Sequence, residues 1–574
     1  MLLILLSWII ILAVFLAFGN IVISLWIKVS GRGNTYSTID TFWLGLASVG
    51  SLLILISLFY PINLYTTISV IGIAFIYWIF NWKKGIIQIK TGIKKFAQYS
   101  AFTKISLILA FFAILFFCMR SEQVYDYGLY YQQTMMWNEQ YSVVPGLGNI
   151  HGRFGFNTSA LLLSNLFYHP ELYKPFFPLN ALCVFVFTFW LILRIEEVKN
   201  LVHKLIYTFV TLLILFSFVL LLSSAATDIP TNILALYVLF NCVFYRKIIA
   251  DKGLIFLILP FFCMTLKTST APIGLIPLFV LFLFLKRKEY KSTLFLIVTS
   301  CIIVIPWLIR FVVITGYLIY PMSSIDLFNF DWKMPLESVQ METIITKAWA
   351  QAPSQKLDDV MAYSFSEWFI PWFLRLPLVN KILYMLIGAS PLLMLLSVKK
   401  IKENGFVFYS WLTAFIGFAI CFFSAPTIRF GFAFVIYGGL VPFLLLFSNK
   451  LLNFKYSNQV IGVVLILFMA YFVRSGLKQL NINREEHNVS YSSLIYKPLH
   501  FDYEKKKKDI YIYDYKIGDI VFYSPNEMGA NPITCYETCI DHCYDQLLPC
   551  TPYLNENLEM RGESLQNGFR IKKQ

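Results

Sequence analysis

The sequence predicts an all-α polytopic membrane protein of about fourteen transmembrane helices, with a small extracytoplasmic α+β domain at its C-terminal end. Three observations predict it. Of 574 residues, 58% are hydrophobic and 14% charged, with a mean hydropathy of +0.67, whereas soluble domains carry about 25% charged residues. Apolar runs near the 20 residues or so needed to cross a bilayer recur along the chain. The basic residues between them fall in every second connection, the asymmetry that sets membrane orientation.

The opening run, MLLILLSWIIILAVFLAFGNIVISLW, has no basic n-region. It also exceeds the roughly 7–15 apolar residues of a signal-peptide core, so it reads as the first spanning helix. Runs near 2–27, 42–59, 63–82 and 104–120 come first, followed by 174–193, 205–225, 228–245, 253–268, 270–285 and 293–315. The last four are 381–398, 405–424, 429–448 and 458–475. Clusters such as Lys83–Lys84, Arg246–Lys247, Lys286–Lys288 and Lys399–Lys400 mark alternate connections as cytoplasmic. The organisation that follows is N-terminal transmembrane helices over 1–104, a transmembrane core over 105–475 and a C-terminal domain over 476–574. Within the core, loops 121–173 and 316–380 face outward and are rich in Trp, Tyr, Pro and acids, as segments lying along the interface are. The net charge of +15 is therefore a topology signal, and nucleic acid is not an expected partner. Membrane lipids are.

In the tail, DIYIYDYK and GDIVFYSP alternate as strands do around Gly518-Asp519. The lysines of EKKKKD, Lys505 to Lys508, read as a solvated or headgroup-touching run. Cys535, Cys539, Cys543 and Cys550 cluster in a segment expected outside the cytoplasm, which favours disulfides over zinc. Four cysteines allow three complete pairings, and spacing does not rank them. Cys118, Cys183 and Cys263 sit in apolar runs and read as small core residues.

The chemistry-bearing residues lie at the external ends. If 122–141 is helical, Glu122, Asp126, Tyr130, Gln133 and Trp137 share one face at i, i+4, i+8, i+11 and i+15. Partial burial at the membrane boundary suits Asp126 to act as a general base on a hydroxyl. The same acid also fits a simpler role, complementing the dipole of an interfacial helix. Loop one continues with VVPGLGNIHGRFGFNTS, where glycines surround His151 and Arg153. Glycine lets backbone approach a ligand closely, and Arg and His supply donors to phosphate.

Lys267, Arg310 and Arg429 stand at or near the external ends of their segments. An ionisable group inside a spanning segment costs about 2.5–3.5 kcal/mol on insertion scales, and such groups face protein interiors or aqueous cavities. Together with His151 and Arg153 they make an expected anion site, although each also fits a residue snorkelling to headgroups. Asp228 opens a helix with Pro230 close behind, reading either as an N-cap or, with Glu122, as a secondary acid. The loop-two acids, Asp326, Asp331, Glu337, Glu342, Asp358, Asp359 and Glu367, do not separate by pattern. Dinucleotide, P-loop and HExxH fingerprints are missing. The cytoplasmic connections are short, which argues against nucleotide chemistry inside the cell.

With these residues in view, the chain resembles the GT-C superfamily of polytopic glycosyltransferases. The resemblance is carried by YDYGLYYQQTMMWNEQYSVVPGLGNIHGRFGFN, ATDIPTNILALYVLF, LKTSTAPIGLIPLF, PWLIRFVVITGYLIYP, APTIRFGFAF and PCTPYLNENLEMRGESLQNGF, spread from about residue 105 to the C-terminus. It implies a GT-C-like core, a polyprenyl-phosphate-linked sugar as donor and a glycan or lipid acceptor at the outer face of a bacterial cytoplasmic membrane. It also implies Asp126 as the acid of the first large external loop, with Lys267, Arg429, Arg310, His151 and Arg153 on the donor phosphate. Tyr130 and Trp137 are expected to stack on sugar faces or to anchor at the interface. The sequence departs from the superfamily in two ways: the segments before residue 104 look like an addition, and Tyr127 follows Asp126 where many relatives carry a second acid. Use of a divalent metal stays open. Other readings of the same residues are a transporter or flippase for a lipid-linked glycan, a polymerase or ligase using a diphosphate-linked oligosaccharide, and a non-catalytic assembly partner.

Overall fold

The computed structural model describes residues 1–122, 124–353, 355, 357–397, 399, 401, 404–447, 456–500, 511–530 and 540–572. Every expected apolar run coincides with a helix. Among the described residues, twelve helices are long and apolar enough to cross a membrane, and two shorter apolar helices, Asp228–Phe244 and Gly253–Leu266, complete the expected set. The chain is an all-α polytopic membrane protein with a small strand-containing tail.

The two short helices are short for a physical reason. Every residue from Asp228 to Val243 is buried, so this helix lies inside the bundle rather than against lipid. Helix Gly253–Leu266 is nearly as enclosed and gives way at Lys267 to a 3-10 turn, Thr268–Gly274, before helix Leu275–Lys286 begins. Around this centre the other helices pack at close range. Helices Leu2–Ser30 and Thr38–Ser57 meet so closely that a methyl group on Gly45 would stand 1.8 Å from the Phe15 carbonyl oxygen. Such an approach is open only to glycine, as in other membrane helix pairs.

The basic connections gather at one end of the bundle. Arg32 bonds Asp251 at 3.1 Å and Glu289 at 2.9 Å, joining three separate connections. The amide of Asn200 donates to the Phe447 carbonyl at 2.7 Å. Beneath them lies a fully enclosed pair, Lys252 and Asp40, 2.8 Å apart and 2% and 0% exposed. Asp40 also accepts from the Tyr237 hydroxyl, and it closes a capping box with Ser37 at the start of helix Thr38–Ser57.

The opposite end carries the long loops and the tail. A helix runs from residue 125 to residue 140, and loop two supplies helices Leu336–Gln351, Leu357–Ala362 and Phe365–Arg375. Helix Ser457–Glu486 continues past residue 475. In the tail, Tyr513–Ile517 pairs antiparallel with Ile520–Ser524 across Gly518, whose φ of 63° the tight turn requires. Leu558–Met560 pairs with Phe569–Ile571. Phe522, Leu554 and Phe569 share one apolar core with Trp137, Leu147 and Ile150 of loop one. The tail is thus packed onto loop one rather than set apart from it. Cys543 and Cys550 form a disulfide, whereas Cys535, Cys539 and Lys505 to Lys508 lie outside the described residues.

Removing one partner of an enclosed ion pair strands the other charge. Lys252→Met is expected to destabilise the protein by about 3–5 kcal/mol, against about 1 kcal/mol or less for Arg32→Met in its more exposed pairs. Thermal unfolding in detergent compares them. Equal shifts would show that enclosure of the Asp40 pair carries no special weight.

Candidate functional site

Helix 125–140 does not keep the regular phase that the sequence pattern assumes. Tyr127–Tyr131 forms a π-turn, which adds one residue to the turn and so rotates everything downstream by about 100°. The expected single stripe is therefore split. Gln133 faces the tail, its amide donating to the carbonyls of Tyr544 at 3.1 Å and Gln546 at 2.8 Å. Trp137 packs edge-on against Phe569, 5.9 Å between ring centres, with no sugar-accessible face. Glu122 precedes the helix, and its two oxygens accept backbone N–H groups of Val124 at 2.8 Å and Ala225 at 3.1 Å. Asp126 and Tyr130 remain together, upstream.

Asp126 meets Arg429, Oδ2 to Nη1 3.4 Å, although 303 residues separate them. Arg429 belongs to the first turn of helix Ile428–Leu446. Beside it, Lys267 at the end of helix Gly253–Leu266 is ion-paired with Asp228 in the first turn of helix Asp228–Phe244. Asn232 ties the two helix starts together: its amide donates to the carbonyls of Asp228 and Arg429, each at 2.9 Å, and its oxygen accepts from the Ala433 N–H at 3.1 Å. The Phe430 ring lies between the cations, 4.3 Å from Lys267 Nζ and 5.1 Å from the Arg429 guanidinium carbon. Trp349 of loop two covers Arg429 at 5.1 Å. Four charged groups from four distant segments thus meet at the loop-bearing end. Arg429 Nε is buried there without a hydrogen bond.

A second ring of groups adjoins them. Arg153 Nε bonds Glu342 of loop two at 2.9 Å. Burial opposes the Arg153 charge, but Glu342, then Tyr130 and Asp126, outweigh it and raise its pKa, so this guanidinium stays charged. Burial, followed by the charge of Asp126, pushes the Tyr130 hydroxyl above its ordinary range, leaving it a neutral donor. The Tyr131 hydroxyl lies 3.5 Å from that of Thr227.

Two of the expected phosphate ligands are placed otherwise. Arg310 is 6% exposed and bonds Ser57 at 2.9 Å and Asn138 at 2.5 Å, so it clamps helix 125–140 onto the bundle. His151 packs between Phe154 and Tyr553 with a buried, unbonded Nδ1. Burial, then the neighbouring Arg153, pulls its pKa down to about 3, so it is a neutral group and not a cation. Conversely, sequence pattern did not single out Asn232, Trp349 or Glu342. Among the described residues, no group of three His, Cys, Asp or Glu side chains is arranged to hold a metal.

Fold and cluster together define a polytopic helical membrane protein with an acid–cation site at one end of its bundle. The chain belongs to the family described as Domain of unknown function (DUF8201), which matches residues 1–436. That stretch contains Asp126, Asp228, Lys267 and Arg429 and ends before helix Ser457–Glu486 and the tail. No curated protein and no solved structure matches the chain.

Because the folded-state pKa of His151 lies below the unfolded value of about 6.5, the unfolded chain binds more protons as the solution is acidified. Its contribution to stability is complete above about pH 6.5 and declines as pH falls toward 3. Between neutrality and pH 5 the expected loss is about 2 kcal/mol. Melting curves of wild type and His151→Gln at pH 7.5 and pH 5 should converge on acidification. An unchanged gap would place the imidazole in solvent.

Proposed function

We propose that the protein is a GT-C-like glycosyltransferase, moving a sugar from a polyprenyl-phosphate-linked donor to a glycan or lipid acceptor. The observation that carries the reading is the meeting of Asp126, Asp228, Lys267 and Arg429. Their side chains are enclosed enough to strengthen electrostatics yet reachable: Arg429 is 38% and Lys267 24% exposed, against 13% for Asp126. The positive-inside pattern supports an external position for this end, at a bacterial cytoplasmic membrane.

In this reaction the acceptor hydroxyl attacks the anomeric carbon while the bond from that carbon to the phosphate oxygen breaks. The proton passes to Asp126 as general base. The lipid phosphate departs as an anion and needs no protonating acid, unlike an ordinary glycoside leaving group. Lys267 and Arg429 would neutralise the charge growing on it. Asp228 holds Lys267 in place, and Arg153 with Glu342 orders the adjoining loop.

One observation favours transport of a lipid-linked sugar instead: the broken segment at Thr268–Gly274, since interrupted helices surround substrate sites in transporters. Purified protein, polyprenyl-phosphate sugars and candidate acceptors separate the readings. For a transferase, Asp126→Asn lowers kcat by about 10²–10⁴ with the fold intact, and Arg429→Ala lowers kcat/KM for the phosphorylated donor. Full turnover by Asp126→Asn removes the base. Movement of the donor across proteoliposomes without sugar transfer replaces the transferase with a transporter.

A further inference from the structure

Tyr127, Gln132 and Met136, on other faces of helix 125–140 than Asp126, line a cavity of about 720 Å³. Its position is set by helix ends. Arg120 lies just beyond helix Ala101–Cys118, and His487 caps helix Ser457–Glu486, so the cavity sits beside the ends of these two helices. Phe176 and Phe177 add apolar wall.

The wall is rich in basic side chains. Arg120, Lys174, Lys497, His487 and His500 all line it. Arg120 is 6% exposed, and its Nε donates to Asn483 Oδ1 at 3.3 Å. His500 Nδ1 donates to the Pro175 carbonyl at 3.2 Å. Burial lowers its pKa; the Pro175 bond opposes this, and the neighbouring Lys174, Lys497 and His487 lower it further, so its neutral form is favoured. Lys174 and Lys497 form no ion pair with a described residue. The lining acids are Glu122, whose oxygens are occupied by the Val124 and Ala225 N–H groups, and Asp545. Lys174 and Lys497 stand on the rim of the same concavity, exposed to solvent and able to reach into it.

We infer that this cavity is a second binding site, separate from the Asp126–Arg429 cluster, for a phosphate-bearing group. Arg, Lys and His donors match phosphate oxygens. The volume falls within the roughly 300–1,000 Å³ of small-ligand sites, room for a phosphate and an attached polar group. The source of that phosphate is either an anionic lipid or a soluble sugar phosphate. The inference does not depend on the glycosyltransferase reading, because it concerns binding alone.

The test uses the purified full chain in detergent. Native mass spectrometry measures retention of phosphatidylglycerol against phosphate-free diacylglycerol, and calorimetry measures glucose 6-phosphate. Wild type is expected to bind at least one phosphate probe in preference to diacylglycerol. Phosphatidylglycerol retention identifies a lipid source, and saturable glucose 6-phosphate binding a soluble one. Lys174→Ala/Lys497→Ala should weaken that binding by about tenfold or more, and reversal of both charges to Glu should weaken it further, with unchanged melting curves. Absence of phosphate binding, equal retention of diacylglycerol, or full binding by the double variant would each overturn the assignment.

Discussion

The loop-bearing end is organised by the need to pair charge where water is scarce. An unpaired ionic group in a spanning segment costs about 2.5–3.5 kcal/mol, and Lys267 meets that constraint through Asp228. Arg429 is the harder case. It sits in the first turn of its helix, where the backbone dipole is positive and disfavours a cation. Asp126 supplies the carboxylate beside it, and the Phe430 and Trp349 rings cover its faces. An arginine at the positive end of a helix, with one nitrogen unbonded, is thus held by the acids beside it.

The acid reaches Arg429 because helix 125–140 is fixed at its far end. Arg310 bonds Asn138, and the Asn138 carbonyl accepts the Ile62 N–H at 2.7 Å. Asn165 donates to the Met135 carbonyl at 2.8 Å. Gln133 and Trp137 then bind the tail on a face that the π-turn has rotated away from Asp126. One short helix therefore serves three partners: the bundle, the tail and the charged cluster. The large basic cavity occupies what remains of its circumference.

The bundle was legible because bilayer thickness fixes helix length; the expected apolar runs are all helical. Asp126, Lys267 and Arg429 could be picked out since a charge beside a greasy run is conspicuous. The π-turn could not, because an i to i+5 turn leaves no mark in residue type, and the assumed helical stripe failed from Gln133 onward. Arg310 showed the same signal as Arg429, and only packing separates a structural clamp from a site residue. Glu342 and Trp349 were hidden among many similar residues in loop two, whose path depends on tertiary contacts. The cations of the second cavity come from segments far apart in the chain, so no local pattern gathers them.

The convergence of these distant segments is most directly tested by a double-mutant cycle on Asp228→Asn and Lys267→Met, read by unfolding in detergent. Groups in contact are expected to couple by about 0.5–3 kcal/mol, so the double variant should be more stable than the sum of the single losses allows. Strict additivity, within about 0.5 kcal/mol, would mean that the two side chains do not meet, and the charged site as described would not exist.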